Sequence, residues 1–265
     1  MNAGKKTRAI KSALAARGSM LVAFSGGVDS TLLAVLAKDV LGNKTACVLL
    51  DSPVMSRAAI EQAHQIAHDL GLSLDTIPVS LMEHEEFRKN PSTRCYICKK
   101  ISAACLRNRA EELGLASVAD GMNVSDMGEY RPGLAASSEE GIIHPFIESG
   151  ITKHEIREIA RKYGLPVWQK PSDACLSSRI PYGEEITRKK LRIIEDAEVY
   201  LADQGFRQLR VRLHGTTARI EVHKEEMEKI VDMKSAIVKK LKSFGFYYVT
   251  LDLEGYRSGS MDEVL

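Results

Sequence analysis

The stretch that most constrains the fold is residues 21–30, which read L-V-A-F-S-G-G-V-D-S. Its first four residues are apolar and have the length of a buried parallel strand, and apolar residues then recur at helical spacing over residues 29–41. Gly26 and Gly27 lack a Cβ, so the backbone between strand and helix can approach an anion closely and take a positive φ. The helix behind them directs unpaired N–H groups and its positive dipole end at the same point. The sequence therefore predicts a phosphate-binding loop.

This loop differs from the two common phosphate-binding motifs. It is not G-x-x-x-x-G-K-S/T, which supplies a lysine to a γ-phosphate, and it is not the dinucleotide motif G-x-G-x-x-G. The sequence S-G-G-V-D-S resembles instead the PP-loop of ATP pyrophosphatases, which cleave ATP between the α and β phosphates and adenylylate their substrates. That resemblance implies that Asp29 helps to hold Mg²⁺. The alternative interpretation is a plain glycine turn in which an Asp or Ser caps the helix.

Composition and charge limit the classes of protein to which this chain can belong. The chain has 265 residues with 44% hydrophobic content, enough to bury a full core and to form two domains. Its formal net charge is +2, with acids and bases interspersed, which neither requires nor excludes nucleic acid. No RNA-binding module or basic stripe is visible, so we do not expect a nucleic-acid partner. Five cysteines, an odd number without a secretory apolar region, indicate a reducing compartment and thiol or metal chemistry. With no apolar segment of membrane-spanning length, we expect a cytoplasmic protein that does not contact a membrane.

Strand and helix patterns alternate through the first part of the chain. Strands are predicted at residues 21–24, 45–50, 72–79, 116–119 and 142–146. Helices are predicted at residues 5–17, 29–41, 56–70, 95–113 and 153–163, the last one starting at a capping box. This order predicts an α/β fold, a PP-loop Rossmann-like parallel sheet with right-handed crossovers.

In such a sheet ligands bind at the carboxyl ends of the strands. Asp51 and Ser52 follow the second strand and Gly121 follows the fourth, so all three are predicted to contact the nucleotide. For Asp51 and Ser52 the alternative is a simple helix start. Residues 125–140 are polar and rich in turns, and we interpret them as an ordered active-site loop.

The pattern changes after an irregular, proline-rich segment that contains Cys175 and looks like an interdomain hinge. Helices are predicted at residues 187–203 and 224–243, and strands at 207–213, 217–222 and 247–253. These elements form a small α+β domain. The predicted division is therefore residues 1–182 for the PP-loop ATP pyrophosphatase domain and residues 183–265 for a C-terminal substrate and oligomerisation domain.

Cationic side chains converge in the second domain. Arg210 and Arg212 alternate along one strand and therefore share a face, and Arg257 and Ser258 follow the last strand. Guanidinium groups bind a phosphate monoester bidentately, so this set suits a phosphorylated substrate. The alternative is the solvated polar face of a half-buried hairpin.

Three cysteines differ from the other two, which lie in an apolar strand and on a helix and are most simply core residues. Cys95 and Cys98 form a C-x-x-C at a helix start, and Cys175 lies in the irregular segment. A closed structural zinc site needs four ligands, so three thiols disfavour it. Two interpretations stay open, a redox pair that passes sulfur and a 4Fe–4S cluster whose fourth iron is left open.

The order of motifs along the chain resembles one family. The PP-loop, Y-R-P-G at 130–133, C-L-S-S-R-I-P-Y-G at 175–183, R-V-R-L-H at 210–214 and Y-R-S-G at 256–259 follow the order of the LarE family of ATP-dependent sulfur transferases. The resemblance covers nearly the whole chain. It implies adenylylation of a pyridinium dicarboxylate mononucleotide and replacement of carboxylate oxygen by sulfur, in synthesis of the nickel-pincer nucleotide cofactor of lactate racemase.

The resemblance also implies roles for individual residues. ATP phosphates and Mg²⁺ are assigned to Ser25, Gly26, Gly27, Asp29 and Ser30. The substrate and its phosphate are assigned to Arg131, Arg179, Arg210, Arg212, Arg257 and Ser258.

For the sulfur chemistry, the resemblance makes Cys175 the sulfur-carrying catalytic residue, which single-cysteine members sacrifice to dehydroalanine. Cys95 and Cys98 are additional and resemble the three-cysteine branch, in which they and Cys175 hold a 4Fe–4S cluster that carries an added sulfide. A sulfide source and a homo-oligomer are then expected. The rival functions are a PP-loop tRNA thiolase, which shares the loop and the cysteines, and a nucleotide-binding module without catalysis.

Overall fold

The computed structural model describes residues 3–128, 132–171, 174–257 and 259–263. The chain forms two compact units, the first made of Met1–Leu81 and Thr93–Asp173 and the second of Met82–Ser92 and Ala174–Leu265. The sequence predicted one division, between residues 182 and 183. The compact units follow a different division, because an early segment joins the second unit and because that unit begins before the predicted boundary.

Asn90 explains why the early segment belongs to the second unit. Its side-chain Nδ2 donates to the carbonyl oxygens of Ile180 at 3.2 Å and Pro181 at 2.7 Å. Its own carbonyl oxygen accepts from the N–H of Gly183 at 2.9 Å. Asn90 is fully buried and has a φ of 53°, a left-handed conformation that asparagine tolerates better than most residues. Residues 82–92 are thus tied to the chain around residues 180–183.

The helices and strands are as follows in chain order. The α-helices are α1 (Ala3–Ala15), α2 (Val28–Leu41), α3 (Arg57–Asp69), α4 (Glu85–Arg88), α5 (Arg94–Glu112), α6 (Pro132–Glu139), α7 (Pro145–Glu148), α8 (Lys153–Lys162), α9 (Arg188–Asp203), α10 (Met227–Asp232) and α11 (Lys234–Phe244). The strands are β1 (Met20–Ala23), β2 (Thr45–Asp51), β3 (Leu74–Pro78), β4 (Val118–Ala119), β5 (Leu209–His214), β6 (Thr217–Val222) and β7 (Tyr248–Leu251).

A four-stranded parallel sheet organises the first unit. Its order is β3-β2-β1-β4, and Val22 at its centre pairs with Cys47 on one side and Ala119 on the other. Met20, Leu21 and Val22 are fully buried. They divide between two separate buried clusters, as expected where both faces of a parallel sheet are covered. The predicted α/β fold with a parallel PP-loop sheet is confirmed.

Two predictions for the first unit are wrong. Residues 142–146 form no full strand, because only Ile143 makes a single bridge, to Ala119, and α7 begins at Pro145. Proline at the first helical position has a suitable fixed φ and lacks an N–H that would be unpaired there. The polar stretch 125–140 is also more regular than the predicted loop, with a 3₁₀ helix at Val124–Gly128 and then α6.

The second unit contains a three-stranded mixed sheet in the order β5-β6-β7. β5 and β6 form an antiparallel hairpin, whose turn uses Gly215 at a φ of 57°, and β7 pairs parallel to β6. Helix α9 contributes buried Leu191, Ile194 and Leu201 to this unit. The predicted small α+β fold is confirmed. Among the helices that the structure describes, none is long and apolar enough to cross a membrane.

Candidate active site

The turn between β1 and α2 has the backbone that its glycines predict. Gly26 has a φ of 67°, and an added Cβ would lie 2.9 Å from the Cα of Ala63 on α3. Gly27 is the N-cap of α2 and brings no side chain to its first turn. The N-terminal N–H groups and the positive dipole end of a 14-residue helix therefore face the turn. This backbone fits a bound phosphate chain.

The two serines of the loop fix its shape. Ser25 Oγ and Ser30 Oγ lie 3.1 Å apart, and Ser30 Oγ also accepts from the N–H of Ser25 at 3.2 Å and donates to the carbonyl of Gly27 at 3.3 Å. Ser30 is buried, whereas Ser25 is exposed. Ser30 therefore stabilises the loop through these buried hydrogen bonds. The hydroxyl of Ser25 is the one that a ligand can reach.

Asp29, in the first turn of α2, forms an ion pair through Oδ2 with the ammonium of Lys153. Its other oxygen lies 3.4 Å from the side-chain Nδ2 of Asn123. The Asp29 side chain is 24% exposed, so a cation from solvent can reach it. A carboxylate beside serine hydroxyls is a set of hard oxygen donors of the kind that Mg²⁺ prefers. The residues therefore fit Mg²⁺ if the ion takes the place of Lys153.

Gly121 lies directly against the loop, at the carboxyl end of β4. An added Cβ would be 2.8 Å from the backbone nitrogen of Ser30 and 2.9 Å from the Cβ of Asp29. Any side chain at this position would therefore displace the first turn of α2. The close approach brings the next residues of the chain, including Asn123, to Asp29.

A buried polar chain lies beside Gly121. Asp120 accepts from Nδ1 of His144 at 2.7 Å, and Nε2 of His144 lies 3.0 Å from Ser138 Oγ. Lys99, on α5, is 3.9 Å from the other carboxylate oxygen of Asp120. Burial opposes ionisation of Asp120, but the hydrogen bond from His144 and the charge of Lys99 outweigh it and lower the pKa of this carboxyl. Asp120 is therefore a carboxylate throughout the physiological range.

Asp51 and Ser52 occupy the carboxyl end of β2, as predicted, and contact protein groups there. Asp51 forms an ion pair with Arg57 at 2.8 Å, and Arg57 also donates to the carbonyl of Ser52 at 3.0 Å. Ser52 is 4% exposed, and the N-cap of α3 is Ser56, whose hydroxyl accepts from the N–H of Ala59. Their contact with a nucleoside stays a prediction.

In the second unit, Cys175 begins a short 3₁₀ helix, Leu176–Arg179. The thiol is partly exposed and its Sγ lies 2.9 Å from Ser177 Oγ. Its carbonyl oxygen accepts from Ser178 Oγ at 2.8 Å and from Arg179 Nη1 at 3.0 Å. The backbone of Cys175 is therefore held in place while its sulfur is accessible.

Arg179 is 1% exposed and fixes this turn from within. Its guanidinium donates to both carboxylate oxygens of Glu198, each at 3.0 Å, in the fork geometry that arginine favours. Glu198 also accepts from the N–H of Val211 at 2.9 Å, so it joins the turn to β5. The structure thus places Arg179 among protein groups that carry Cys175.

Arg212 is also buried and has a carboxylate partner. It donates to Glu221 at 2.7 Å, to Ser260 Oγ at 3.1 Å and to the carbonyl of Ser178 at 3.1 Å. Glu221 is fully buried and also accepts from Arg219 at 3.1 Å. The predicted cationic face is therefore a network in which the buried carboxylate of Glu221 pairs with both guanidinium groups, and Asp252 lies 3.7 Å from Arg219.

The other predicted cations are more accessible. Arg210 is partly exposed and lies over the ring of Tyr256, 5.3 Å from its centre. Arg257 forms ion pairs with Glu254 at 2.6 Å and with Glu263. Arg131 and Ser258 lie outside the described residues.

Comparisons with known proteins decide the family. A family profile described as NAD synthase matches residues 5–122. A pyridinium-3,5-bisthiocarboxylic acid mononucleotide synthase of Lactiplantibacillus plantarum is 36% identical over 92% of this chain and 89% of its own. The chain belongs to the LarE family. Uncharacterized proteins of Synechocystis sp., 43% identical over 92% of both chains, and of Methanocaldococcus jannaschii, 34% identical over 90% and 91%, are also similar.

As a LarE-family member the chain is an ATP-using sulfurtransferase, and the predicted family and enzyme class are confirmed. Its geometry adds Lys153, which the sequence reasoning missed. This lysine is the first residue of α8, after the predicted capping box of Thr152 and Glu155. The capping box marks the start of the helix, but only the packing of α8 against α2 shows that Lys153 reaches Asp29.

The cysteines of this LarE-family chain differ in exposure. Cys47 is buried in β2, where burial raises its pKa to about 12, so it is an inert core thiol. On α5, Cys95 is exposed and Cys98 partly exposed. Within the part of the chain that the structure describes, no group of three or more His, Cys, Asp or Glu side chains is arranged to hold a metal ion. The 4Fe–4S cluster on Cys95, Cys98 and Cys175 stays a prediction.

Proposed function

We propose that this LarE-family protein converts carboxylates of pyridinium-3,5-dicarboxylate mononucleotide to thiocarboxylates, consuming ATP and releasing AMP and pyrophosphate. The name of the Lactiplantibacillus plantarum relative supports this substrate class. The observation that carries the ATP chemistry is the loop itself, where the open first turn of α2 meets the ion pair of Asp29 and Lys153. The products would serve synthesis of a nickel-pincer nucleotide and thus maturation of lactate racemase.

The first step activates a carboxylate. A carboxylate oxygen of the substrate attacks the α-phosphorus of ATP, and the bond from that phosphorus to the bridging oxygen breaks to release pyrophosphate. The N–H groups of the loop and the dipole of α2 stabilise the charge that develops on the leaving phosphates. Lys153, which would leave Asp29 when Mg²⁺ binds, adds a positive charge beside these phosphates. Mg²⁺, when bound at Asp29, supplies further charge neutralisation.

The second step brings sulfur to the activated carbon. A sulfur nucleophile attacks the acyl carbon of the adenylate, and AMP leaves. This nucleophile is sulfide if Cys95, Cys98 and Cys175 hold a 4Fe–4S cluster. In the alternative it is the thiolate of Cys175, which gives a thioester. Loss of the Cα proton of residue 175 and cleavage of its Cβ–Sγ bond then release the thiocarboxylate and leave dehydroalanine. The partly exposed sulfur and the backbone held by Arg179 support this role for Cys175.

We propose further that Cys95, Cys98 and Cys175 hold a 4Fe–4S cluster. A cluster that carries sulfide would supply the sulfur and leave Cys175 intact. Anaerobic reconstitution followed by iron and sulfide analysis tests it. About four irons per chain, lost in a Cys175→Ala variant, would support the cluster. A mass loss of one H₂S at residue 175 after turnover would support sacrifice of the cysteine instead.

For the substrate phosphate, we propose direct contact by Arg210 and Arg257, both of which are partly exposed residues. Arg212, whose guanidinium is held by Glu221 and Ser260, would act indirectly by fixing the strand that also carries Arg210. Arg179 would act through the turn that carries Cys175. The family motifs add Arg131 and Ser258 to this proposed set.

The experiment that tests the function combines the protein, Mg²⁺ and ATP with pyridinium-3,5-dicarboxylate mononucleotide. We expect AMP, pyrophosphate and a thiolated mononucleotide, and no AMP when the mononucleotide is omitted. AMP formation without thiolation would contradict the sulfur step alone. Thiolated tRNA as the product would favour the tRNA thiolase. The cytoplasmic location, the sulfide source and the homo-oligomer stay predictions.

A further inference from the structure

A second lysine reaches the phosphate-binding loop. Lys170 lies in the irregular segment after α8, and its ammonium donates to the carbonyl oxygen of Gly26 at 3.2 Å. Gly26 is the loop residue whose positive φ and contact with α3 leave no room for a side chain. Lys170 is partly exposed, so its ammonium is accessible to a ligand in the loop. The adenylylation and sulfur steps proposed for this chain give Lys170 no role.

The backbone that carries Lys170 is held by one arginine. Arg157 on α8 donates to the carbonyl of Trp168 at 2.9 Å and to that of Lys170 at 3.0 Å. The N–H of Lys170 donates to the carbonyl of Val167 at 3.0 Å, and the Val167 side chain is buried in the core of the first unit. The segment is therefore anchored on both sides, although it forms no helix or strand.

One face of α8 organises both lysines. Lys153 and Arg157 are four residues apart, so their side chains lie on the same side of the helix. Lys153 forms its ion pair with Asp29, and Arg157 directs Lys170 toward Gly26. Lys153 and Lys170 thus bring two ammonium groups to the phosphate-binding loop, and cations at this place suit a polyanion.

We propose that Lys170 is a further phosphate-binding residue of the ATP site and that Arg157 is its positioning residue. The proposal rests on the ATP-using function of the chain. A carbonyl is a neutral acceptor, and hydrogen bonds to a charged phosphate oxygen are stronger. An ammonium has three donors, so Lys170 can contact Gly26 and a phosphate oxygen at the same time. Its charge would favour both bound ATP and the departing pyrophosphate.

The competing role is a structural tie, in which Lys170 only satisfies the carbonyl of Gly26. Lys170→Gln separates the two roles, because the glutamine amide can still donate to that carbonyl but carries no charge. Lys170→Arg keeps the charge with a different shape. Lys162→Gln is the matched control, since Lys162 is an exposed lysine at the end of the same helix, α8.

The binding experiment uses magnesium ATP and magnesium pyrophosphate, each titrated calorimetrically without any mononucleotide. We expect Lys170→Gln to weaken both ligands by about 10- to 100-fold, the loss of one charged hydrogen bond. Lys170→Arg should retain most of the affinity, and Lys162→Gln all of it. Unchanged affinity in Lys170→Gln would overturn the proposal. A wild-type protein that binds neither ligand would overturn the ATP function and the proposal together.

A measurement on the wild-type protein avoids dependence on folding of the variants. Acetic anhydride labels accessible lysines, and mass spectrometry locates the label. We expect magnesium pyrophosphate to protect Lys170 and not Lys162. Equal labelling of Lys170 with and without pyrophosphate would contradict the proposal.

Arg157→Gln tests the positioning role by a double-mutant cycle. We expect it to weaken pyrophosphate less than Lys170→Gln does, and to add little to the effect of Lys170→Gln when both are present. The affinity for the mononucleotide should not change. A full additional loss in the double variant would show that Arg157 does not act through Lys170.

Discussion

Two ion pairs with similar chemistry, one in each unit, differ in burial. They therefore differ in function, one suiting a ligand site and the other a structural role. The side chains of Lys153 and Asp29 in the first unit are 31% and 24% exposed, whereas those of Arg212 and Glu221 in the second are 6% and 0% exposed. An exposed pair exchanges partners at little cost, but breaking a buried pair leaves an uncompensated charge. The first pair suits an exchangeable ligand site, and the second fixes the fold. Burial, more than residue type, separates the two roles.

The largest expected effect tests the buried pair. Glu221→Gln removes the carboxylate shared by Arg212 and Arg219, and it should lower the free energy of unfolding by about 3–5 kcal/mol. Urea unfolding followed by circular dichroism measures this loss. Glu225→Gln is the control, since Glu225 is 87% exposed. A loss as small as that of the control would show that the buried pair does not hold the second unit.

Asp29→Asn tests the exposed pair. The change keeps the volume of the side chain but removes the charge that pairs with Lys153 and would hold Mg²⁺. AMP formation should fall by about 10²- to 10³-fold, the scale of losing one group that stabilises transition-state charge. The urea midpoint should change little. Retained turnover would mean that Asp29 serves only as a residue of the helix start.

Arg210→Gln sharpens the comparison within the second unit, because Arg210 is partly exposed on the same strand as buried Arg212. We expect the affinity for the mononucleotide to fall about tenfold, with no change in ATP affinity and little change in stability. Calorimetric titration of each ligand separates these effects. Equal weakening of ATP and mononucleotide would remove Arg210 from the substrate site.

The smallest effect concerns His214, at the end of β5. Burial of its ring, together with the charges of Arg219 and Arg212, lowers its pKa below 6.5, although Glu184 and Glu221 act in the opposite direction. The unfolded chain therefore binds a proton more readily than the folded one as the pH falls through 6.5. Stability should be full above that pH and decline below it, until the folded form is protonated as well.

The control for this prediction is His214→Gln, which cannot titrate in this range. Urea midpoints measured from pH 5 to pH 8 should show a shallower decline in the variant than in the wild type. Identical pH dependence in the two proteins would show that another group is responsible.

Local features were predictable from the sequence because their causes lie within a few residues. Gly26 and Gly27 predict the turn, since only a residue without a Cβ tolerates its geometry. The capping box of Thr152 and Glu155 predicts the start of α8, and the buried runs predict parallel strands. Failures appeared where neighbouring signals compete, as at residues 142–146, where an apolar run includes Pro145 and becomes a helix start.

The sequence by itself thus determined the phosphate-binding turn, the two fold classes and the family. Only the tertiary structure decided that Lys153 reaches Asp29, that Asn90 ties an early segment to the second unit, and that Arg212 is buried against a carboxylate. The physical reason is distance along the chain. Turns and caps depend on steric and hydrogen-bonding preferences of adjacent residues, whereas the partner and the burial of a charge depend on how remote elements pack.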